Sequence, residues 1–328
     1  MMAICGVDIS KDWLDAWLAP EERYGRFANS PEGVAELAQA CHAAGIELAV
    51  MEASGGYERV AFLGLWQLGL PCAIANARAV RDFSLWLKFI LSARPAGSRR
   101  AKAMGYMEKT DRIDARMISG FAAAKRIVSC PPPSEDQRRI NALAARMRQI
   151  GGDLTIQKQR LASARDAATR ADLAEIIALL VRQRKVVIAA IAAMIEADPL
   201  WQALDRTFRS VKGVAERTVA TLLAELPEIG TLSNKAISKL VGLAPLADDS
   251  GRRSGKRSVR GGRATVRSIL FLVADIARKF DPSLTEFRQR LLDSGKPKMV
   301  VRIALAHKLL VRLNAKARDT RQKMAISA

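Results

Sequence analysis

Four acidic residues occupy positions from which carboxylates can do chemistry. Asp8 stands at the polar end of the apolar run ICGVDIS, Glu52 directly follows the apolar run of ELAVMEA, and Asp111 and Asp114 lie three apart in KTDRIDARMISGF. Thr110 can cap a helix there, which would put both aspartates on one face of its first turn, where the helix dipole favours their ionised forms. Two carboxylates from strands and two from one helix turn can make a hard-oxygen cage for Mg²⁺ or Mn²⁺. Two such ions about 4 Å apart can activate a nucleophile and stabilise the leaving oxygen of a phosphodiester. Singly, each has an ordinary reading: a strand-end turn at Asp8, a helix cap at Glu52, dipole partners or ion pairs with Arg112 and Arg116 for the aspartates. The combination favours metal chemistry.

A second constellation is DDSGRRSGKRSVRGGR. Ser250 precedes a glycine just upstream of Arg252, Arg253, Lys256, Arg257, Arg260 and Arg263, with Arg267 following, and the next acidic residue is Asp275. A serine hydroxyl is a poor nucleophile unless a base, metal or cationic setting activates it, and guanidinium groups can grip a scissile phosphate. Ser254 also precedes a glycine and is the rival. Asp248 and Asp249 either solvate a loop or orient the hydroxyl. By composition alone the segment reads as a basic nucleic-acid clamp. Lys212 beside Gly213, in a turn between two expected helices, resembles a helix-hairpin-helix that faces a phosphate. Arg99 and Arg100 lie in a basic stretch, 93–106, that reads as a loop touching a polyanion or as a plain solvated loop.

The elements that must position these residues follow from the apolar pattern. Strands are expected at 4–10, 14–19, 47–53 and 71–77, with helices at 31–44, capped by Ser30, and at 57–69. This alternation argues for an α/β layer structure with a largely parallel central part. PPPSEDQ at 131–137 is a boundary. Beyond it Ile140, Met147, Leu154, Leu161 and Ala168 recur every seven residues, with Leu143, Ala144 and Ile150 between them. A second helical pattern runs from Ile176 and Ile177 through Leu180, Val187 and Ile191 to Ile195, with a box-like start at Asp172 and Glu175 and a turn near 169–172. Two such helices make a hairpin whose seam needs a partner, so self-association through a coiled coil is expected, and packing on the first domain is the alternative. The last helices are expected to run to about 320, with a frayed tail.

Composition narrows the function. The 328 residues carry 53 Lys and Arg against 33 Asp and Glu, a formal charge of +20, which favours nucleic acid as partner. The longest apolar run, 186–195, is about half a bilayer span and the N-terminus has no basic leader, so a cytoplasmic, nucleoid-associated prokaryotic protein with no membrane partner is expected. Cys5, Cys41, Cys72 and Cys130 form no metal or redox pattern and read as buried thiols. Neither His42 nor His307 has a catalytic setting.

The order and spacing of GVDISK, MEASGGY, NARAVRDF, TDRIDA, the VKGV turn and GLAP…DSG…RGGR…VR resemble the DEDD-type insertion-sequence transposases, the bridge-RNA-guided recombinases related to the pilin-gene invertase. The resemblance covers nearly the whole chain. It departs in one place, a longer stretch between VRDF and KTDRIDA. It implies a RuvC-like RNase H-fold domain at 1–130, a coiled-coil helical hairpin at 131–200 and a mainly helical transposase domain at 201–328, an α/β plus α architecture. It further implies Asp8, Glu52, Asp111 and Asp114 as the metal tetrad and Ser250 as the nucleophile forming a covalent phosphoserine with DNA. The implied partners are donor and target DNA, a non-coding bridge RNA that supplies sequence choice, and further copies of the chain in a dimer or tetramer. A junction nuclease using water, or a non-enzymatic nucleic-acid scaffold, are the alternative functions.

Overall fold

The computed structural model describes residues 2–92, 110–247, 255 and 257–327. These divide into two compact units, Met1–Pro133 and Ser134–Ala328.

The first unit is built on a five-stranded sheet: β1 (Ile4–Ile9), β2 (Trp13–Leu18), β3 (Arg23–Ala28), β4 (Leu48–Glu52) and β5 (Cys72–Ala75), in the order β3-β2-β1-β4-β5. β1, β2 and β3 form an antiparallel meander, while β4 and β5 run parallel to β1. The sheet is therefore mixed, and only its β1-β4-β5 half is parallel. Successive side chains of a strand point to opposite faces, and β1 is buried on both. Cys5, Val7 and Ile9 pack with Val34 and Leu37 of α1 (Pro31–Ala43) and Leu65 of α2 (Glu58–Gln67). Ile4 packs on the other face with Val50, Ala73, Val80 of α3 (Ala77–Ser92), and Ile118 and Phe121 of α4 (Asp111–Lys125).

α1 begins where Ser30 places its hydroxyl to accept from the Gly33 amide, with Pro31 in the first turn. β3 has no counterpart in the sequence reading. Its residues, RYGRFA, lie at the sheet edge and are at most half-buried, so they carry no apolar run. α4 crosses β1 at very short range: a Cβ at Gly6 would lie 2.2 Å from the Ala115 carbonyl oxygen and 2.5 Å from the Ser119 nitrogen. Any side chain there would push the helix off the sheet.

The second unit is helical: α5 (Glu135–Ser163), α6 (Ala167–Ala197), α7 (Pro199–Arg209), α8 (Glu216–Glu225), α9 (Asn234–Val241), α10 (Ala264–Ala277), α11 (Pro282–Asp293) and α12 (Lys298–Ser327). Ile140, Ala144 and Met147 of α5 and Ile191 and Ile195 of α6 share one core with Trp201, Leu204 and Phe208 of α7 and with α8, α10 and α12. The base of the α5–α6 hairpin is thus covered by its own unit. Further out, Ala168 and Ile176 are exposed. The hairpin turn also falls earlier than expected. Asp166 caps α6 by accepting from the Thr169 amide at 2.8 Å, and Arg170 donates to the Leu161 and Ala164 carbonyls at 3.1 and 3.0 Å, closing the end of α5. Asp172 and Glu175 lie on the exposed surface inside the helix. α12 continues to Ser327, past the expected fraying point.

Buried Asn314 ties α12 to the turn after α8. It accepts from the Gly230 amide at 2.8 Å and donates to the Leu232 carbonyl at 3.0 Å. Cys5, Cys41 and Cys72 are buried free thiols, but Cys130 is exposed, because it follows α4 on the way out of the first unit. No helix among the described residues is long and apolar enough to cross a membrane.

Candidate active site

The tetrad is assembled by three elements. Asp8 lies near the end of β1, Glu52 is the last residue of the adjacent parallel β4, and Asp111 and Asp114 lie in the first turn of α4. The start of α4 is fixed locally, since the Thr110 hydroxyl accepts from the Ile113 amide at 3.4 Å. The register pairs Gly6 with Val50 and Val7 with Met51, so the chain directions bring Asp8 and Glu52 to the same end of the sheet. Gly6 lets α4 approach the strand closely enough to set its two aspartates over that end. All four carboxylates line one cavity of about 430 Å³, together with Arg81 and Ser84 of α3.

The electrostatics of this cavity are unusual for a strongly basic protein. Half-burial pushes the Asp8 carboxyl up to about 6, and the charges of Asp114, Glu52 and Asp111 add to the shift. Asp111 is met by Arg26 of β3, whose Nη2 donates to its Oδ2 at 2.6 Å. Four carboxylates lining one cavity, one of them pushed up first by burial and then by its neighbours' charges, are hard oxygen donors of the kind that suits a divalent cation. The donor set fits Mg²⁺ or Mn²⁺ in kind. As the side chains stand, no three acidic, histidine or cysteine residues among those described converge on one point as a finished ligand shell.

The basic residues singled out from sequence divide into three groups. Lys212, Arg257 and Arg260 are exposed. Arg263 and Arg267 instead hold the chain together. Arg263 Nη1 and Nη2 both donate to the Glu228 carboxylate, the latter at 2.5 Å, and Nη1 also reaches the Glu225 carbonyl at 2.9 Å. Arg267 donates to the Gly261 carbonyl. Ser250 and Ser254 lie outside the described residues, as do Asp248, Asp249, Arg252, Arg253, Lys256, Arg99, Arg100 and the 93–106 stretch. The described flanks of the serine segment meet in a short antiparallel bridge, in which the Leu246 amide donates to the Ser258 carbonyl at 2.9 Å. Gly213 adopts a φ of +94°, and a Cβ there would approach the Ala277 backbone at 3.0 Å, so its turn packs directly on the end of α10.

Sequence reasoning missed Asp15 and Arg26. Asp15 is buried at 3% exposure inside an otherwise apolar strand, LDAWLA. That lone charge in an apolar run was the available signal.

A mixed sheet in the order 3-2-1-4-5, with acids at the ends of β1 and β4 and on the helix crossing them, defines an RNase H-like domain. A family profile for DEDD transposases of the IS110 type matches residues 5–169, and one described as "Transposase IS116/IS110/IS902 family" matches 205–289. The chain belongs to this IS110-type DEDD transposase family, a class of DNA-recombining enzymes. It is 26% identical over 334 residues to the pilin gene-inverting proteins of Moraxella lacunata and Moraxella bovis, covering 96% of each chain in both comparisons. It is 30% identical over 149 residues to the insertion element IS110 uncharacterized 43.6 kDa protein of Streptomyces coelicolor, spanning 45% of this chain and 36% of that protein. A solved chain of T. thermophilus RuvC in complex with a Holliday junction substrate aligns with 39% of this chain and 99% of its own, at 14% identity and a TM-score of 0.27. The fold assignment rests on strand order and direction.

Proposed function

We propose that the protein cleaves and rejoins DNA strands to mobilise an insertion sequence, through a covalent phosphoserine at Ser250 and a divalent-metal site at Asp8, Glu52, Asp111 and Asp114. The observation that carries this reading is the cavity that four carboxylates from three elements line together, in which burial, and after it the charges of the other three, push Asp8 up to about 6. A stabilising purpose would not gather like charges this way.

In the cleavage step the Ser250 Oγ attacks a backbone phosphorus. The serine–phosphorus bond forms, the bond to one sugar oxygen breaks, and the serine proton ends on the departing sugar hydroxyl. A hydroxyl from another strand can then reverse the step, so strands are exchanged with no net loss of phosphodiester energy and no ATP. A bound Mg²⁺ or Mn²⁺ supplies Lewis-acid stabilisation of the phosphate charge. Asp8 and Glu52 hold fixed positions on the sheet, and Asp111 and Asp114 ride on α4. The exposed Lys212, Arg257 and Arg260, with Arg252, Arg253 and Lys256, grip phosphate, which gives affinity but little sequence information. Sequence choice is therefore assigned to a guide RNA paired with donor and target DNA, and the working species to a dimer or tetramer.

The test is to incubate the protein with Mg²⁺, element-end DNA and the flanking non-coding RNA, then digest and look for a DNA-linked peptide. Recovery of a peptide bearing Ser250 is expected. A Ser250→Ala protein that cleaves normally would transfer the reading to a water-using junction nuclease. DNA processing untouched by chelation would leave only a binding scaffold.

A further inference from the structure

One buried charge in the first unit has no place in the tetrad. Asp15 faces Asp8 directly across the β1–β2 ladder, and Arg26 faces Asp15 across the β2–β3 ladder. Directly opposed residues of antiparallel strands present their side chains on the same face. The three therefore form a charged row on the face that α4 crosses, leading from the sheet edge to the cavity. Asp15, at 3% exposure, accepts from Arg26 Nε at 2.8 Å, from Arg26 Nη2 at 3.2 Å and from the Tyr24 hydroxyl. The guanidinium also sits 5.8 Å from the centre of the Trp13 ring. From this mooring Nη2 reaches on to Asp111 Oδ2 at 2.6 Å.

We propose that the Asp15–Arg26 pair is a positioning device for the third carboxylate, holding Asp111 by one oxygen so that the other is available to a divalent cation. This rests on the metal-site reading of the tetrad.

The geometry answers two needs. Asp111 is the first residue of α4 and its side chain is 59% exposed, so packing alone does not fix it. A carboxylate ligand is ordinarily oriented by a hydrogen bond to its second oxygen, and outer partners of this kind influence affinity strongly. A lone arginine in that role would also repel the cation. Asp15 removes that difficulty, because the pair as a whole is neutral while its fork still reaches Asp111. The planar guanidinium is what allows one side chain to bond two carboxylates, which a lysine ammonium on a flexible stem does not reproduce. Asp15 and Arg26 touch no reacting atom and act only through Asp111.

The experiment measures Mn²⁺ binding to the full-length protein without DNA, by calorimetry, in wild type, Arg26→Gln, Arg26→Lys and the paired Asp15→Asn/Arg26→Gln variant. The paired variant leaves no buried charge unmatched, and thermal unfolding in EDTA checks that each protein is folded. All three variants are expected to bind Mn²⁺ about 10- to 100-fold more weakly. Raised Mn²⁺ should restore their DNA cleavage to near the wild-type maximum, so that the loss appears in the metal concentration required and not in kcat. Unchanged Mn²⁺ affinity in the folded variants would reduce the pair to a strut between β3 and α4, and tighter binding would make Arg26 a competitor for Asp111; either overturns the proposal. If wild type binds no Mn²⁺ and Asp114→Asn changes nothing, the metal reading itself fails and takes the device with it.

Discussion

The cavity acid Asp8 of the first unit and several carboxylates of the second live under opposite electrostatic regimes. In the second unit four are matched by arginine: Arg209 with Asp205 and Arg278 with Asp275 at 2.7 Å each, Arg263 with Glu228, and Arg312 with Asp281. The Arg278 hydrogen bond holds Asp275 below its ordinary range. Burial alone would raise Glu228 and Asp281, but hydrogen bonds from Arg263 to the former, and from Ser283 and Arg312 to the latter, outweigh it and lower both. In the first unit burial, and after it the charges of Asp114, Glu52 and Asp111, move Asp8 the other way, up to about 6. The same residue type serves cohesion in one place and is held at a cost in the other. Such a cost persists where something outside the chain relieves it.

The widest separation between the regimes is expected in activity. Asp8→Ala should lower DNA cleavage on the order of a thousandfold, the ~4 kcal/mol scale of one well-placed electrostatic contribution, with little loss of folding stability. A strand-cleavage assay beside a melting curve checks both, and a variant that unfolds without metal would break the contrast. Arg263→Ala should do the reverse. It strips a half-buried carboxylate and a carbonyl of their donor and should destabilise the second unit by roughly 1–3 kcal/mol in a urea titration, while Mn²⁺ binding by the first unit stays as it was.

The pH dependence follows from the signs. Asp275, Asp281 and Glu228 have lowered folded pKa values, so their contribution is present above the ordinary carboxylate range near pH 4 and is lost as pH falls below it. Asp8 has a raised one, so metal-free protein loses stability as pH rises from about 4 to about 6. Asp8→Asn should remove that second slope and leave a higher Tm at pH 7.5 in EDTA; an unchanged slope would count against the crowded cavity. The smallest effect belongs to a feature outside both regimes. Asp166→Ala removes the cap of α6 and should cost about 1 kcal/mol, whereas Asp172→Ala should be nearly silent.

That last pair shows where sequence was legible and where it was not. Asp8 and Glu52 could be read because an apolar strand that ends in an acid is a local pattern, and the Thr110 start brought Asp111 and Asp114 with it. The α6 start was placed too late because Asp172 with Glu175 fits a capping box, whereas the cap is Asp166 on the Thr169 amide, and Arg170 closes the end of α5 through a contact between residues nine apart. β3 escaped because an edge strand such as RYGRFA buries too little to show alternation. Asp15 and Arg26 escaped for a related reason: their significance lies in register across three strands, and only pairing reveals that residues 8, 15 and 26 share a row. Periodicity in the hairpin reports which face is apolar and not what buries it: at the base that face packs into its own unit, and further out Ile156, Ile176 and Leu179 stay exposed.

Gly6 carries a mechanical consequence. Asp8 and Glu52 are carried on a sheet, whereas the backbones of Asp111 and Asp114 share one helical turn. The cavity therefore has one jaw on the sheet and one on the helix. Gly6 sets the spacing between them: with no side chain between strand and helix, backbone bears on backbone. One residue of axial offset, about 1.5 Å, would displace the backbone of both helix carboxylates together, so the strand–helix contact at Gly6 fixes where both begin.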